Sequence, residues 1–223
     1  MGGRVVGHGG RTLERYPCRC VALQPRTAAD YGDASPGVGV EDDYRGAVCG
    51  RFVSTTPPDR LASYFQVDAN GVEAPDAGAE ARYNVAPTAE VFVVYEDGGL
   101  RRLDGFRWGL VPGWAKDLKI GNRMINARAE TVAQKPAFRR AFAKRRCIVP
   151  ADGFYEWTKE PDPSNPGKQP HFIHRPDGEP YAFAGLWERW RGDLDGDGTE
   201  TEVRSTTIIT TTTTITTTRR TLR

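Results

Sequence analysis

Between Arg123 and Trp157 the apolar residues change their period, and that change limits what the chain can build. From Pro136, a residue suited to the first turn of a helix, Ala137, Phe138, Ala141 and Phe142 recur at helical spacing. Arg139, Arg140, Lys144, Arg145 and Arg146 lie opposite that stripe. After Pro150 and an Asp152-Gly153 turn the period falls to two. In Gly153-Phe154-Tyr155-Glu156-Trp157, Phe154 and Glu156 share one face of a strand, and Gly153, Tyr155 and Trp157 share the other. A carboxyl among aromatics has two readings. It is an edge-strand Glu pointing into water, or a poorly solvated acid with a raised pKa suited to proton transfer.

The rest of the chain reads as many short strands and two short helices. Ala47 to Val53 is a strand, and Thr55-Thr56-Pro57-Pro58-Asp59 supplies an N-cap, first-turn prolines and an early acid for a helix reaching Phe65. Residues 68–80 form a polar loop. Arg82 to Pro87 is extended and stopped by proline, Val91 to Tyr95 is a strand, and Glu96-Asp97-Gly98-Gly99 turns into a strand over Leu100 to Leu110. Val111-Pro112-Gly113-Trp114 is a loop presenting a tryptophan, and residues 161–168 are a Pro-rich loop. His171 to Arg175, Tyr181 to Trp190 and Val203 to Thr210 complete the strands, with Asp193 to Asp197 as a hairpin turn. Trp108 reads as core. The fold class is therefore α+β, mainly β, around a curved sheet or barrel-like core with a few short helices.

Residues 1–48 hold neither period and read as disordered or as a misannotated upstream segment. Residues 49–210 contain no repeat or linker and form one domain. From Thr206 to Thr218 ten of thirteen residues are threonine, so residues 211–223 read as a threonine-rich tail. No apolar run is long enough to span a bilayer and no secretory h-region opens the chain, which makes the cytoplasm the expected compartment and excludes a membrane role. A net charge of +2 leaves any nucleic-acid contact to a local patch. The four cysteines, Cys18, Cys20, Cys49 and Cys147, contain no Cys-x-x-Cys pair. His171 and His174 fall on opposite faces of a strand, so neither a metal site nor a cofactor is expected.

Five segments then stand in order: CGRF (49–52), RYNVAP (82–87), WGLVPGW (108–114), INARAET (125–131) and CIVPADGFYEW (147–157). Together they resemble the SOS-response-associated peptidase (SRAP) family over about residues 49–210. The resemblance implies an abasic-site sensor acting as a monomer on single-stranded DNA, on the nucleoid when engaged. It implies that Cys49 is the N-terminal residue whose α-amine attacks a ring-opened abasic sugar and whose thiol closes a thiazolidine. An α-amine with a pKa of about 7.7–8.0 is partly neutral at physiological pH and hence nucleophilic. It further implies that Glu156 shuttles protons and Asn126 orients sugar and amine. Arg51 and Arg128 match phosphate-contacting arginines, Asn84 supports the backbone, and Pro87 and Trp114 match surfaces that wedge against or stack on bases. Self-processing peptidase and abasic-site lyase activities are implied as well. Without the resemblance, Cys49 reads as a buried apolar residue, Arg51 and Arg128 as structural ion pairs, and the 139–146 run as a solvated helix face.

Two departures stand out. Val48 precedes Cys49 where the family has its initiator methionine, which suggests initiation at position 48 on a GUG codon, or proteolytic release of Cys49. The family's histidine after the strand resembling Val203 to Thr210 has no counterpart, since no histidine follows His174. A frameshift near Thr210 accounts for the threonine tract and for the family's missing C-terminal part. The competing functions are a non-covalent single-strand binder, an inactive truncated relative, and a cysteine peptidase acting on other proteins. The last lacks an identifiable Cys–His pair. Residues 49–223 are expected to fold poorly, and a cooperative thermal transition for that span, followed by circular dichroism, would contradict this expectation.

Overall fold

The structure is a computed structural model that describes residues 50–72, 80–157, 170–194 and 196–211. Cys49, most of the polar loop, the Pro-rich loop and the threonine tail lie outside the described residues. The elements in order are β1 (Phe52–Ser54), α1 (Pro58–Tyr64), β2 (Arg82–Val85), β3 (Glu90–Asp97), β4 (Leu100–Trp108) and a 3-10 helix (Leu118–Arg123). There follow β5 (Asn126–Arg128), α2 (Arg139–Lys144), β6 (Arg146–Ala151), β7 (Gly153–Trp157), β8 (Pro170–His174), β9 (Tyr181–Asp193) and β10 (Glu200–Thr210).

Strands β4, β3, β6, β9 and β10 pair in that order, and β10 returns to pair with β4. The result is a closed five-stranded barrel. Its closing seam is parallel, Ser205 opposite Arg107 and Thr206 opposite Trp108, while its other pairings are antiparallel. Beyond the seam β10 also takes β5 as a parallel neighbour, through Ile209 with Ala127 and Thr210 with Arg128. Closure removes unpaired strand edges from the barrel. A second sheet runs β2-β1-β7-β8. The mainly β architecture matches the expected fold class.

The interior follows from the period-two pattern. Val91, Val93, Tyr95, Phe106, Trp108, Val149, Phe183, Trp187 and Ile208 point inward and are buried. Tyr95, Phe106 and Trp187 meet edge-on or tilted, with centroids 5.0–5.7 Å apart, an arrangement that aromatic quadrupoles favour. The threonine-rich β10 is more than half interior, since Ser205 to Thr210 are all buried. Its hydroxyls are used there: Ser205 Oγ accepts from the Val111 amide at 2.8 Å and the Thr206 hydroxyl donates to the Leu186 carbonyl at 3.0 Å. The strand's share of the seemingly low-complexity run is thus a core strand, with the Ser205 and Thr206 hydroxyls satisfied by neighbouring backbone.

Three sequence expectations need correction. Thr55 and Thr56 do not cap α1. Pro57 is its N-cap and no side chain bonds there, because both threonines turn to Asp152 instead. Asp152 Oδ2 accepts from the Thr55 hydroxyl at 3.0 Å and the Thr56 amide at 2.9 Å, and its carboxylate also takes the Thr55 amide and Thr56 hydroxyl. This carboxylate sits at the corner where the chain leaves β6 and enters β7, and it ties that corner to the end of β1. The basic helix is also shorter than its pattern: α2 begins at Arg139, not Pro136. Residues before it form turns, with the Phe138 and Arg139 amides both donating to the Lys135 carbonyl at 2.9 Å. Lys135 precedes a proline and so resists helical geometry. The turns bury Val132 and Phe138 with Leu110, Leu186 and Ile209, and Phe142 is left at the surface. Finally β4 stops at Trp108. Gly109, at φ 130°, approaches Gly121 so closely that a Cβ at either position would lie 2.5–2.6 Å from the other's carbonyl oxygen.

Replacing Asp152 by Ala strands two backbone amides and two hydroxyls at that corner. We expect a loss of about 2–4 kcal/mol, read from urea unfolding against the parent chain, and a smaller loss for Asp152→Asn. Cys147, between β3 and β9, is buried and its thiol is pushed up from 9.0 to about 12, chiefly by desolvation and against a contact to the Thr206 hydroxyl. The raised folded-state value stabilises the fold fully below pH 9, and that contribution is lost as pH rises toward 12. The stability difference between wild type and Cys147→Ala should therefore narrow over this alkaline window, as equilibrium unfolding at stepped pH would register.

Candidate nucleic-acid and catalytic site

The β7 strand separates its two faces as its alternation predicts. Phe154 is fully buried and Glu156 is 5% exposed on the inner face, while Tyr155 is half-buried and Trp157 exposed on the outer one. Glu156 is therefore not an edge carboxylate in water. β1 lies antiparallel beside β7, with Phe52 opposite Phe154 and Val53 opposite Gly153. The Tyr155 amide donates to the Arg51 carbonyl at 3.0 Å, so the same register carries Gly50 across from Glu156. On the other side β8 sets His171 directly opposite Glu156 and Ile173 opposite Phe154. Burial lowers the His171 pKa below its ordinary value of 6.5 and favours the neutral imidazole.

The outer face holds a separate cluster. Arg51 Nη1 donates to Asn84 Oδ1 at 3.0 Å, so the first arginine pairs with a neutral amide and keeps its full charge. The Tyr155 hydroxyl donates to the Tyr83 carbonyl at 3.1 Å and fixes β2 beside it. Tyr83 itself is 68% exposed. Sequence reasoning passed over Tyr83, because period-two alternation would put it on the face of buried Val85, and its exposure is seen only in the fold. It also passed over the His171–Glu156 pairing. No local signal could supply that pairing, because the register between β7 and β8 depends on a loop with no repeating pattern.

Asn126 and Arg128 stand on β5, with Ala127 between them buried. The strand is held by the Ile125 carbonyl, which accepts from Trp108 Nε1 at 2.9 Å and from the Ile208 amide at 3.1 Å. Trp108 in turn packs on Phe52, with ring centroids 5.1 Å apart. One aromatic contact thus anchors both the segment leading to Gly50 and the segment leading to Asn126. Arg128 is exposed. Trp114 is 63% exposed on a loop pinned at both ends, by the Val111 amide to Ser205 and by Trp190 Nε1 to the Ala115 carbonyl at 2.8 Å. A large apolar side chain held out on an anchored loop is poised to contact a partner. Pro87 is half-buried beside Thr88, whose amide donates to the Trp108 carbonyl at 2.8 Å.

The structure therefore brings Arg51 and Asn84 into contact and sets Glu156 opposite Gly50. It places Asn126 and Arg128 on one strand, and Trp114 and Pro87 on loops flanking β4. Among the basic residues at α2, Arg139, Arg140 and Lys144 are exposed, whereas Arg145 pairs with Glu188 and lies 5.5 Å from the Trp187 ring centroid. Among the described residues no group of His, Cys, Asp and Glu is arranged to hold a metal ion, and no helix is long and apolar enough to cross a membrane.

Comparison with known proteins gives a consistent answer. The chain is 45% identical over 143 residues to the abasic site processing protein YoqW of Bacillus subtilis (strain 168), covering 64% of this chain and 61% of that one. It is 35% identical over 139 residues to YedK of Escherichia coli (strain K12), likewise titled an abasic site processing protein, covering 62% and 59%. The chain thus spans about three-fifths of these relatives' lengths. A crystal structure of a protein from Bacteroides thetaiotaomicron superposes with a TM-score of 0.61 at 26% identity, over 73% of this chain and 68% of the other. The sequence profile described as SOS response associated peptidase (SRAP) matches residues 48–219, and on that match the chain belongs to the SRAP family.

Proposed function

We propose that this chain senses abasic sites in single-stranded DNA and captures them covalently through Cys49, once the residues before Cys49 are removed. The observation that carries the reading is the buried carboxyl of Glu156 across from Gly50, because Cys49 is joined to Gly50 by one peptide bond. A Cα–Cα step of about 3.8 Å then limits how far its amine can lie from that carboxyl's strand. The relatives' names, abasic site processing protein, point the same way.

The chemistry balances in three moves. The free α-amine of Cys49 adds to the aldehyde of the opened sugar and gives a carbinolamine. Glu156 donates a proton to the departing hydroxyl, which leaves as water, and an iminium remains. The thiol adds to that carbon and returns its proton to Glu156. The product is a five-membered thiazolidine, with one water released. Asn126 orients the sugar and the amine. Arg51 and Arg128 take phosphates, for which a guanidinium fork is well matched. Asn84 holds the Arg51 fork in place, and Pro87 and Trp114 offer surfaces on which bases stack without sequence readout. In this reading the protein acts as a monomer on DNA in the cytoplasm. Peptidase action is confined to freeing Cys49, and strand cleavage follows when the imine forms without ring closure.

The test compares a form beginning at Cys49, the full chain, and Cys49→Ala, each mixed with abasic and ordinary oligonucleotides and resolved under denaturing conditions. The first should give a stable adduct, only with abasic DNA, and the full chain should do so only to the extent that Cys49 is freed in it; an adduct surviving in Cys49→Ala would sink the assignment. Equal binding of both oligonucleotides with no adduct would instead identify a non-covalent single-strand binder. Trp114→Ala should weaken non-covalent affinity about tenfold, in line with the loss of one stacked base. Arg128→Ala should weaken it and reduce the salt slope of log K by about one.

A further inference from the structure

We propose that His171 is the proton partner of Glu156, a positioning residue that holds the carboxyl and connects it to solvent. The inference rests on the capture reading above and names a residue that the sequence comparison did not single out.

The geometry is that of a directly opposed cross-strand pair. β7 and β8 are antiparallel and Glu156 faces His171 residue for residue, so both side chains leave the same side of the sheet with Cβ atoms about 4.5–5.5 Å apart. The neighbours confirm the face. Phe154 and Ile173, two pairs further along, are both buried in the core, whereas Tyr155, Phe172 and His174 pack together on the other side. Among the described residues of the adjoining strands, β9 sets the Tyr181 phenol on Phe154 with centroids 5.8 Å apart, and β1 sets Phe52, which does not titrate, opposite Phe154.

Burial gives the pair its division of labour. Glu156 is 5% exposed and cannot exchange protons freely with water, whereas His171 lies half-buried on β8, an edge strand of its sheet. A carboxyl that must be an acid in one step and a base in the next needs a route by which its proton is restored. An imidazole can accept at one nitrogen while donating at the other, and the neutral form favoured here carries one donor and one acceptor nitrogen. Facing each other across the strands, the two groups are coupled, so that the charge on one bears on the proton of the other.

The direct test follows the His171 imidazole by NMR titration in the full chain, with His171→Gln used to assign its signal. In wild type the midpoint should fall below 6.5, and in Glu156→Gln it should fall further by about one unit, since the carboxylate no longer favours the imidazolium. An unchanged midpoint in Glu156→Gln overturns the pairing. The second readout uses whichever preparation captures abasic DNA. His171→Gln should slow capture about tenfold and remove the break in the pH–rate profile at the wild-type midpoint, while affinity for an oligonucleotide carrying a tetrahydrofuran in place of the abasic sugar stays within twofold. A coincident pH profile in the variant overturns the proposal. A wild-type protein that captures nothing overturns the underlying reading instead, and the NMR result then reports on the pair alone.

Discussion

The parallel seam between β4 and β10 is the constraint on which the other elements depend. Without it the five barrel strands are an open sheet with two free edges; with it they enclose one aromatic interior. The seam also sets the neighbours of both ends. Immediately past Trp108 the chain turns through Gly109, whose amide donates to the Thr206 carbonyl at 2.8 Å, and the same stretch of β10 continues into its pairing with β5. The exposed tryptophan loop and the strand bearing Asn126 and Arg128 are thus both carried by one element. Phe52 then joins the second sheet to this assembly by packing on Trp108.

Much of this architecture was legible in the sequence because period-two alternation and turn chemistry are local. The β3–β4 hairpin is an example: Gly98 and Gly99 both take positive φ, as its Glu-Asp-Gly-Gly turn requires. The faces of β7 were equally readable, since Phe154 and Glu156 alternate with Tyr155 and Trp157. What was not legible depends on partners far away in the chain. Thr55 and Thr56 look like a helix cap because nothing nearby announces that Asp152, about a hundred residues later, will take their donors. The buried state of Glu156 required knowing that β1 and β8 flank it. The threonines of β10 read as low complexity until they are seen buried in the barrel, with the Thr206 hydroxyl bonded to the Leu186 carbonyl of β9.

The candidate site divides its work between two faces of one small sheet. Charge lies outward, where Arg51 meets Asn84, and the Glu156–His171 pair lies inward toward the core. In the proposed reading a phosphate-binding arginine needs hydration and access, whereas a proton-transfer carboxyl needs low polarity around it. Placing them on opposite sides of β1 and β7 satisfies both demands within two residues of sequence, Arg51 on one face and Gly50 on the other.

The seam joins residues about a hundred positions apart, Arg107 with Ser205 and Trp108 with Thr206. During synthesis, β3, β4 and β6 emerge and can pair long before β10 leaves the ribosome, so β4 waits with an open edge until almost the end of the described chain. Loop closure over that distance is entropically costly and slow, and an unsatisfied strand edge recruits other chains in the interval. The barrel's last strand is therefore also its timing element: the nascent protein is most vulnerable to aggregation in the seconds before those threonines arrive.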